Sequence, residues 1–249
     1  HGAFDGERMI GVLIGFLGTS EDNSTRPAMA NLQVVSKRMV VHPDYRSHGL
    51  GYRLKLAQRD FALQQGIRLV TWTFDPLLAA NAHLNVRKLG ATCQTYLVDY
   101  YGTESGGSLA TLGSSDRLLA EWWVTHRRVE ERISGARPPL TLHQYLDAGT
   151  AILNPSAAVD GNFSRAADNF VLPETSLGLV DIPVNFLAMV RERPDLAQGW
   201  RAHTRALFQT LFTRGYSVTD FLRDTHDGRD RAFYLLSYQG PQFEGFSAN

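Results

Sequence analysis

Apolar positions along this chain alternate between two rhythms. From position 50 they recur at helical spacing (Leu50, Leu54, Ala57, Phe61), with Arg53, Lys55, Gln58, Arg59 and Gln64 between them. That pattern predicts an amphipathic helix buried along the first set. Gly66 stands where a helix stop is expected. Ile67 to Phe74 follows as an apolar run without alternation, the pattern of a strand covered on both faces. Leu32 to Val41 reads as the strand before the helix, and Arg8 to Leu17 as one earlier still. The region from 32 to 74 is therefore predicted as strand, loop, helix, strand.

The pattern continues less regularly. Gly18 to Ala30 is a polar loop with Asn23, Ser24 and Pro27. Asn81 to Leu89 is a predicted helix and Ala91 to Tyr101 a predicted strand. Gly102 to Ser115 is rich in Gly and Ser and marks a boundary. Leu118, Ala120, Trp122 and Val124 alternate, so a further strand is expected there. Residues 135–176 carry Pro138, Pro139, Pro155 and Pro173 and read as loop-rich, the kind of segment that forms lids or binding loops. Leu177 to Ile182 is a short strand. Pro194 opens a helix whose stripe is Leu196, Trp200, Thr204, Leu207, Phe208, Leu211 and Phe212, ended by Gly215. A hairpin of Tyr216 to Leu222 and Arg231 to Tyr238 turns at Asp227-Gly228.

The loop at 42–49 adds chemistry to this scheme. A β-branched run ends at Pro43, and two closely spaced glycines, Gly49 and Gly51, open the helix. Unpaired N–H groups at a helix start carry partial positive charge and bind phosphate oxygens. Glycine lets the backbone approach the ligand, and Arg46 supplies a forked, permanently charged donor. The order Arg46-Ser47-His48-Gly49-Leu50-Gly51 fits neither G-x-x-x-x-G-K-[ST] nor G-x-G-x-x-G, so a nucleoside-triphosphate or dinucleotide loop is disfavoured.

Composition narrows the partners. The chain has 249 residues, enough for one large or two small domains. Its 43% apolar and 20% charged residues are ordinary for a globular protein, and its net charge is zero. Residues 1–103 carry 11 basic and 8 acidic groups, so neither half is a polyanion binder and nucleic acid is not expected. No apolar run approaches a membrane span, and no signal peptide is visible. The single cysteine, Cys93, excludes an internal disulfide and fits a cytoplasmic location; it has no basic neighbour in sequence that would make it a nucleophile. The eight histidines form no metal-binding spacing, so no metal is expected. Nothing in the sequence excludes a homodimer.

The run Val41-His42-Pro43 followed by Arg46-Ser47-His48-Gly49-Leu50-Gly51 resembles the acyl-CoA pyrophosphate loop of the GNAT superfamily of N-acyltransferases, whose motif is V-x-P and then R/Q-x-x-G-x-G/A at a helix start. Arg87-Lys88-Leu89-Gly90-Ala91 resembles that family's K-L-G-F helix end. Phe74-Asp75-Pro76-Leu77, Asn81-Ala82-His83-Leu84-Asn85, Tyr100-Tyr101-Gly102 and Asp116-Arg117 resemble a branch of predicted acetyltransferases with a C-terminal extension. The resemblance implies an α/β GNAT fold, a mixed central sheet flanked by helices. Residues 1–103 would be the acyl-CoA-binding core. Residues 104–249 would be an α+β extension completing the acceptor side, in the form of a degenerate second GNAT half. The family has a strand and two helices before the strand at Arg8; the chain starts at His1, so that segment is expected to have been trimmed or to lie before His1.

The resemblance further implies transfer of an acetyl, succinyl or other acyl group from acyl-CoA to the amine of a small molecule such as an amino acid. The backbone of Met39, Val40 and Val41 would pair with the pantetheine arm like an added strand and supply an oxyanion donor. Arg46, Ser47, His48, Gly49, Leu50, Gly51 and Tyr52 would hold the pyrophosphate, with Asn81 and Asn85 near the pantetheine amides. The family's usual acid, a tyrosine four residues before the glycine of K-L-G-F, is replaced by Val86. Tyr96, Tyr100 or Tyr101 would have to substitute, with Tyr100 the leading candidate. Asp75 is a candidate base, because open α/β sheets place ligands at the C-terminal ends of their strands, and Glu121 is a second candidate on its strand. Two alternatives stay open: a non-catalytic acyl-CoA-binding protein, and an acyltransferase whose donor is an acyl-carrier protein.

Overall fold

The computed structural model describes residues 1–19, 31–102, 115–159 and 163–240. The expected loop at 18–30 and the boundary at 102–115 fall almost wholly outside the described residues. In chain order the elements begin with β1 (Gly2–Asp5), β2 (Arg8–Thr19), β3 (Leu32–Val41), α1 (Leu50–Gln64) and β4 (Leu69–Phe74). Next come α2 (Ala79–Ala82), β5 (Thr92–Leu97), β6 (Arg117–Trp123), α3 (Arg127–Ser134), α4 (Leu142–Asp147) and the short β7 (Ala157–Ala158) and β8 (Ser164–Arg165). The last described elements are β9 (Leu177–Ile182), α5 (Phe186–Glu192), α6 (Pro194–Thr213), β10 (Tyr216–His226) and β11 (Arg229–Tyr238). The architecture is mixed α/β, as the sequence predicts. β1, α3 and α5 are additions that the apolar pattern did not signal.

Two compact units share this chain. The first holds residues 1–72 and 121–136. Its strands run in the order β1-β2-β3-β4, antiparallel for the first two pairings and parallel for β3 with β4. Helix α1 covers one face, where Ile10, Leu13, Leu50 and Leu54 form a buried cluster. Gly49 caps the start of α1 with φ of 75°, a left-handed conformation that favours glycine. The helix ends one residue before Gly66 is reached by its C-cap, Gln65. Its buried face differs from the expected one: Leu50, Leu54, Lys55, Gln58 and Ala62 are buried, whereas Phe61 is 37% exposed. Two polar side chains displaced an apolar position because they find hydrogen-bonding partners inside.

The second unit holds residues 73–120 and 137–242. Its strands follow the order β5-β10-β11-β9, with β10 and β11 joined at Asp227-Gly228. Both turn residues have positive φ, 52° and 69°, the signature of a tight hairpin turn that matches strand twist. Leu142, Leu179, Leu222, Phe233 and Leu235 form one core cluster. Of the predicted α6 stripe, Leu196, Trp200, Thr204, Leu207, Phe208 and Leu211 are buried and Phe212 is half-buried, and Arg201 is buried with them. Phe208 stacks on Tyr96 of β5 and meets Tyr234 of β11 edge-on. Past α2 the helix widens into a π-helical stretch over His83–Lys88, a geometry that the helical pattern at 81–89 could not distinguish.

Candidate functional site

In the first unit one strand and one helix bring together a run of backbone groups that, among the described residues, no further strand pairs and no side chain caps. β3 pairs with β4 only from Gln33 to Val35. Beyond that rung, Ser36 to Val41 is bonded on one side alone, to β2. The alternation of an antiparallel ladder then fixes which groups face outward. His42 N–H donates to the Ile10 carbonyl at 2.9 Å, and Val12 stands opposite Val40. Val40 is therefore turned to β2, and the N–H and C=O groups of Val41 and Met39 point away from it along the open edge. Arg46 Nε donates to the Val41 carbonyl at 3.2 Å, as this orientation requires.

The edge leads straight into the loop. Pro43–Tyr45 form a single 3-10 turn capped by His42, whose Nδ1 accepts from Asp44 N–H. Arg8 and His42 are hydrogen-bonded at 2.8 Å, and Tyr45 O–H donates to Asp5, so β1 and β2 brace the loop. Ser47 and Gly49 both adopt positive φ, 64° and 75°. No side chain caps the first turn of α1, so the N–H groups of Leu50, Gly51 and Tyr52 stand unpaired at the positive end of the helix. A Cβ built on Gly49 would meet nothing within 4 Å. Arg46, Ser47 and His48 are exposed beside that open space. An oxyanion such as a pyrophosphate would find backbone donors, the helix dipole and Arg46 converging there. The side chain of Leu50 is 7% exposed and packed in the core, so only its backbone can serve a ligand.

The proton-transfer candidates lie elsewhere in the structure. Asp75 is 3% exposed in the second unit, and both of its oxygens are taken by the Arg201 fork at 2.8 and 2.7 Å. Leu77 N–H also donates to it, and Arg117 lies 3.6 Å away. Taking a substrate proton would break that fork, so the geometry gives Asp75 an ion-pairing role. Tyr100 is 46% exposed in the turn after β5 and packs edge-on against Tyr101. Tyr96 O–H donates to Asp116 at 2.8 Å; burial first, and Asp116 second, push its phenol well above the ordinary value, which makes it a weaker acid. Glu121 is half-buried on β6. Asn81 is exposed on α2, whereas Asn85 is 5% exposed within the π-helical stretch. Val86 is fully buried there.

Sequence reasoning missed two features. One is the network in the second unit. Arg205, one turn after Arg201, grips Asp116 at 2.9 and 2.7 Å, and Arg87 pairs with Asp220 at 2.7 Å. Its partners are 89 and 133 positions apart in sequence, so no local pattern announces them. The other is Lys55, which is 2% exposed in the first unit. Its position directly after Leu54, and three before Gln58, was the available signal. Among the described residues no group of three His, Cys, Asp or Glu side chains is placed to hold a metal, and no helix is long and apolar enough to cross a membrane.

An open strand edge here leads into an uncapped helix start, a backbone arrangement suited to a ligand that carries both amides and phosphate. The sequence model of the acetyltransferase (GNAT) family matches residues 2–90, the segment that holds β1 to β4, α1 and α2. No curated protein matches the chain. Among solved structures it is similar to the ribosomal-protein-S18-alanine N-acetyltransferase of Escherichia coli, at 20% identity and a TM-score of 0.36 over 49% of this chain and 66% of that one. It is also similar to Chaetomium thermophilum Naa20 in complex with a bisubstrate analogue, at 20% identity and a TM-score of 0.40 over 53% and 67%. A third is a GNAT family acetyltransferase from Elizabethkingia anophelis with acetyl-CoA bound, at 12% identity and 0.38 over 49% and 73%. The chain thus spans about two thirds of the length of these relatives.

Proposed function

We propose that this protein is an N-acyltransferase that moves an acyl group from acyl-CoA to the amine of a small molecule such as an amino acid. The observation that carries this reading is the open edge of β3 running without interruption into the Gly49 cradle. Arg46 and the N–H groups of Leu50, Gly51 and Tyr52 hold the pyrophosphate. The pantetheine amides add to the edge at Met39 and Val41 in the manner of a strand. One of the outward N–H groups on that edge takes the thioester carbonyl oxygen as negative charge develops on it.

The acceptor amine attacks only when neutral, because an ammonium has no lone pair. The new C–N bond forms at the thioester carbon and the C–S bond breaks. The CoA thiolate, with a pKa near 8.5, leaves without an obligatory acid, which suits a site where Val86 replaces the family's tyrosine. The amine's proton passes to solvent or to the thiolate. Asp75 supports the second unit through Arg201 and is not assigned the base role. Tyr100 and Glu121 are proposed as the groups to test for proton transfer.

The buried, non-titratable Val86 favours one second reading, a protein that binds acyl-CoA without turnover. A thiol-release assay with acetyl-CoA and succinyl-CoA against amino acids and a short peptide separates the two. Release that depends on an amine supports the transferase. CoA binding with no release supports the binding protein. Release with a peptide and none with amino acids would overturn the small-molecule acceptor.

A further inference from the structure

Lys55 is the one lysine buried among the described residues, and no carboxylate accompanies it. Lysine in such surroundings is rare, because an ammonium loses its hydration. Its Nζ donates to Ser36 Oγ at 2.9 Å and to Gln58 Oε1 at 3.2 Å, and sits 3.5 Å above the centre of the Trp72 ring. The placement of those partners is informative. The last rung joining β3 to β4 is Val35 with Thr71. Ser36 and Trp72 are the next residues on the two strands, side by side on the same face, at the point where pairing stops. Lys55 thus enters the fork between the strands from above and touches both arms.

The surroundings are built for it. Gly15 stands opposite Ser36 in β2, where the ladder shifts register. A Cβ on Gly15 would lie 2.9 Å from Gln58 Nε2, the side chain that orients Lys55. Trp122 of β6 supports the far side of Trp72 edge-on. The groups that meet Lys55 from β3, β4 and α1 are therefore a hydroxyl, an indole and an amide, none of them titratable near neutral pH. Burial alone pulls the Lys55 amine down to about 7, and no neighbouring charge contributes.

We propose that Lys55 is the positioning residue that sets the fork between β3 and β4, tying the helix that carries the phosphate loop to the strand edge that receives the pantetheine arm. The inference rests on the acyl-CoA reading of that edge. One helix then controls both halves of the donor site: its first turn holds pyrophosphate, and its second turn fixes where the open edge begins. A donor's negative charge at the helix start favours the ammonium form, so binding draws a proton onto Lys55 near neutral pH.

Three variants of the full chain test this: the parent, Lys55→Met and Lys55→Gln. The first readout needs no ligand: hydrogen exchange of the amides from Ser36 to Val41. The expected result is faster exchange in Lys55→Met although its global unfolding midpoint is unchanged or higher. Lys55→Gln, which keeps a donor for Ser36, restores parental exchange. The second readout is calorimetric CoA affinity between about pH 6 and pH 8.5, where titration near 7 is visible. The parent should bind more weakly as pH rises, and Lys55→Met should bind about tenfold more weakly with that dependence lost. Lys55→Gln should lose the pH dependence while keeping most of the affinity. Exchange in Lys55→Met indistinguishable from the parent overturns the proposal, as does unchanged CoA affinity and pH dependence. A parent that binds no CoA overturns the acyl-CoA reading, and the exchange experiment still decides the role of Lys55.

Discussion

At the residue scale the fold carries one group whose charge works against it. The unfolded chain protonates Lys55 below its ordinary value of 10.5, whereas the folded chain does so only below about 7. Between those values the unfolded state binds more protons, so stability rises with pH through this window; below it the full penalty applies. A shift of that size is worth about 3–5 kcal/mol, part of which the Trp72 ring returns by attracting the cation. Lys55→Met is therefore expected to be more stable than the parent at pH 7, with the gain shrinking towards pH 10, as read by urea unfolding at several pH values. Equal stability at neutral pH would mean that the ammonium is well accommodated.

A second residue-scale prediction concerns Asp75. With Arg201→Ala, the buried Asp75 carboxylate loses its two charged hydrogen bonds and keeps the Leu77 N–H and a looser ion pair with Arg117 at 3.6 Å. Breaking a buried pair in this way costs about 3–5 kcal/mol, so the unfolding midpoint should fall sharply, whereas replacing the exposed Asp195, which pairs with the half-exposed Arg193, should leave it within about 0.5 kcal/mol of the parent. Midpoints in urea distinguish the two. A mild effect from Arg201→Ala would release Asp75 for the catalytic role that its strand-end position suggests.

Individual elements were legible where one local rule decides them. The strand, loop, helix, strand order from 32 to 74, the Gly66 stop, the α6 stripe and the Asp227-Gly228 hairpin all follow from spacing and turn chemistry. The face of α1 did not, because polarity alone sends Lys55 and Gln58 outward and only the partners on β3 and β4 bring them in. The π-helical stretch at His83–Lys88 is likewise invisible to a periodicity that assumes uniform helical turns. The glycine-flanked loop at 42–49 was legible as a motif, but the open edge of β3 was not, since strand pairing is a property of two segments. At this scale Arg46 links the two parts through the Val41 carbonyl. Arg46→Ala should weaken CoA binding by about tenfold and reduce its salt dependence, measured by titration at low and high ionic strength. Unchanged salt dependence would remove Arg46 from the pyrophosphate site.

Over the whole molecule the two units are held by different means. The first relies on a small apolar cluster under α1 and a polar wedge at Lys55. The second combines a large aromatic core with buried arginine–aspartate pairs at Asp75, Asp116, Asp181 and Asp220. Replacing such a pair by well-packed apolar side chains is often neutral, whereas removing one partner alone is strongly destabilising. The backbone motif of the first unit therefore reads directly from the sequence, whereas the buried pairs of the second join side chains far apart in sequence.

The central claim is that the Gly49 cradle holds the pyrophosphate of CoA. It is tested most directly by titrating CoA into the parent and into Gly49→Val by calorimetry. At φ of 75° valine strains the backbone, and its side chain enters the open space before the helix start. The account predicts saturable binding to the parent and a loss of at least about tenfold in affinity in the variant, with a cooperative unfolding transition retained. A folded Gly49→Val that binds CoA as tightly as the parent would contradict it.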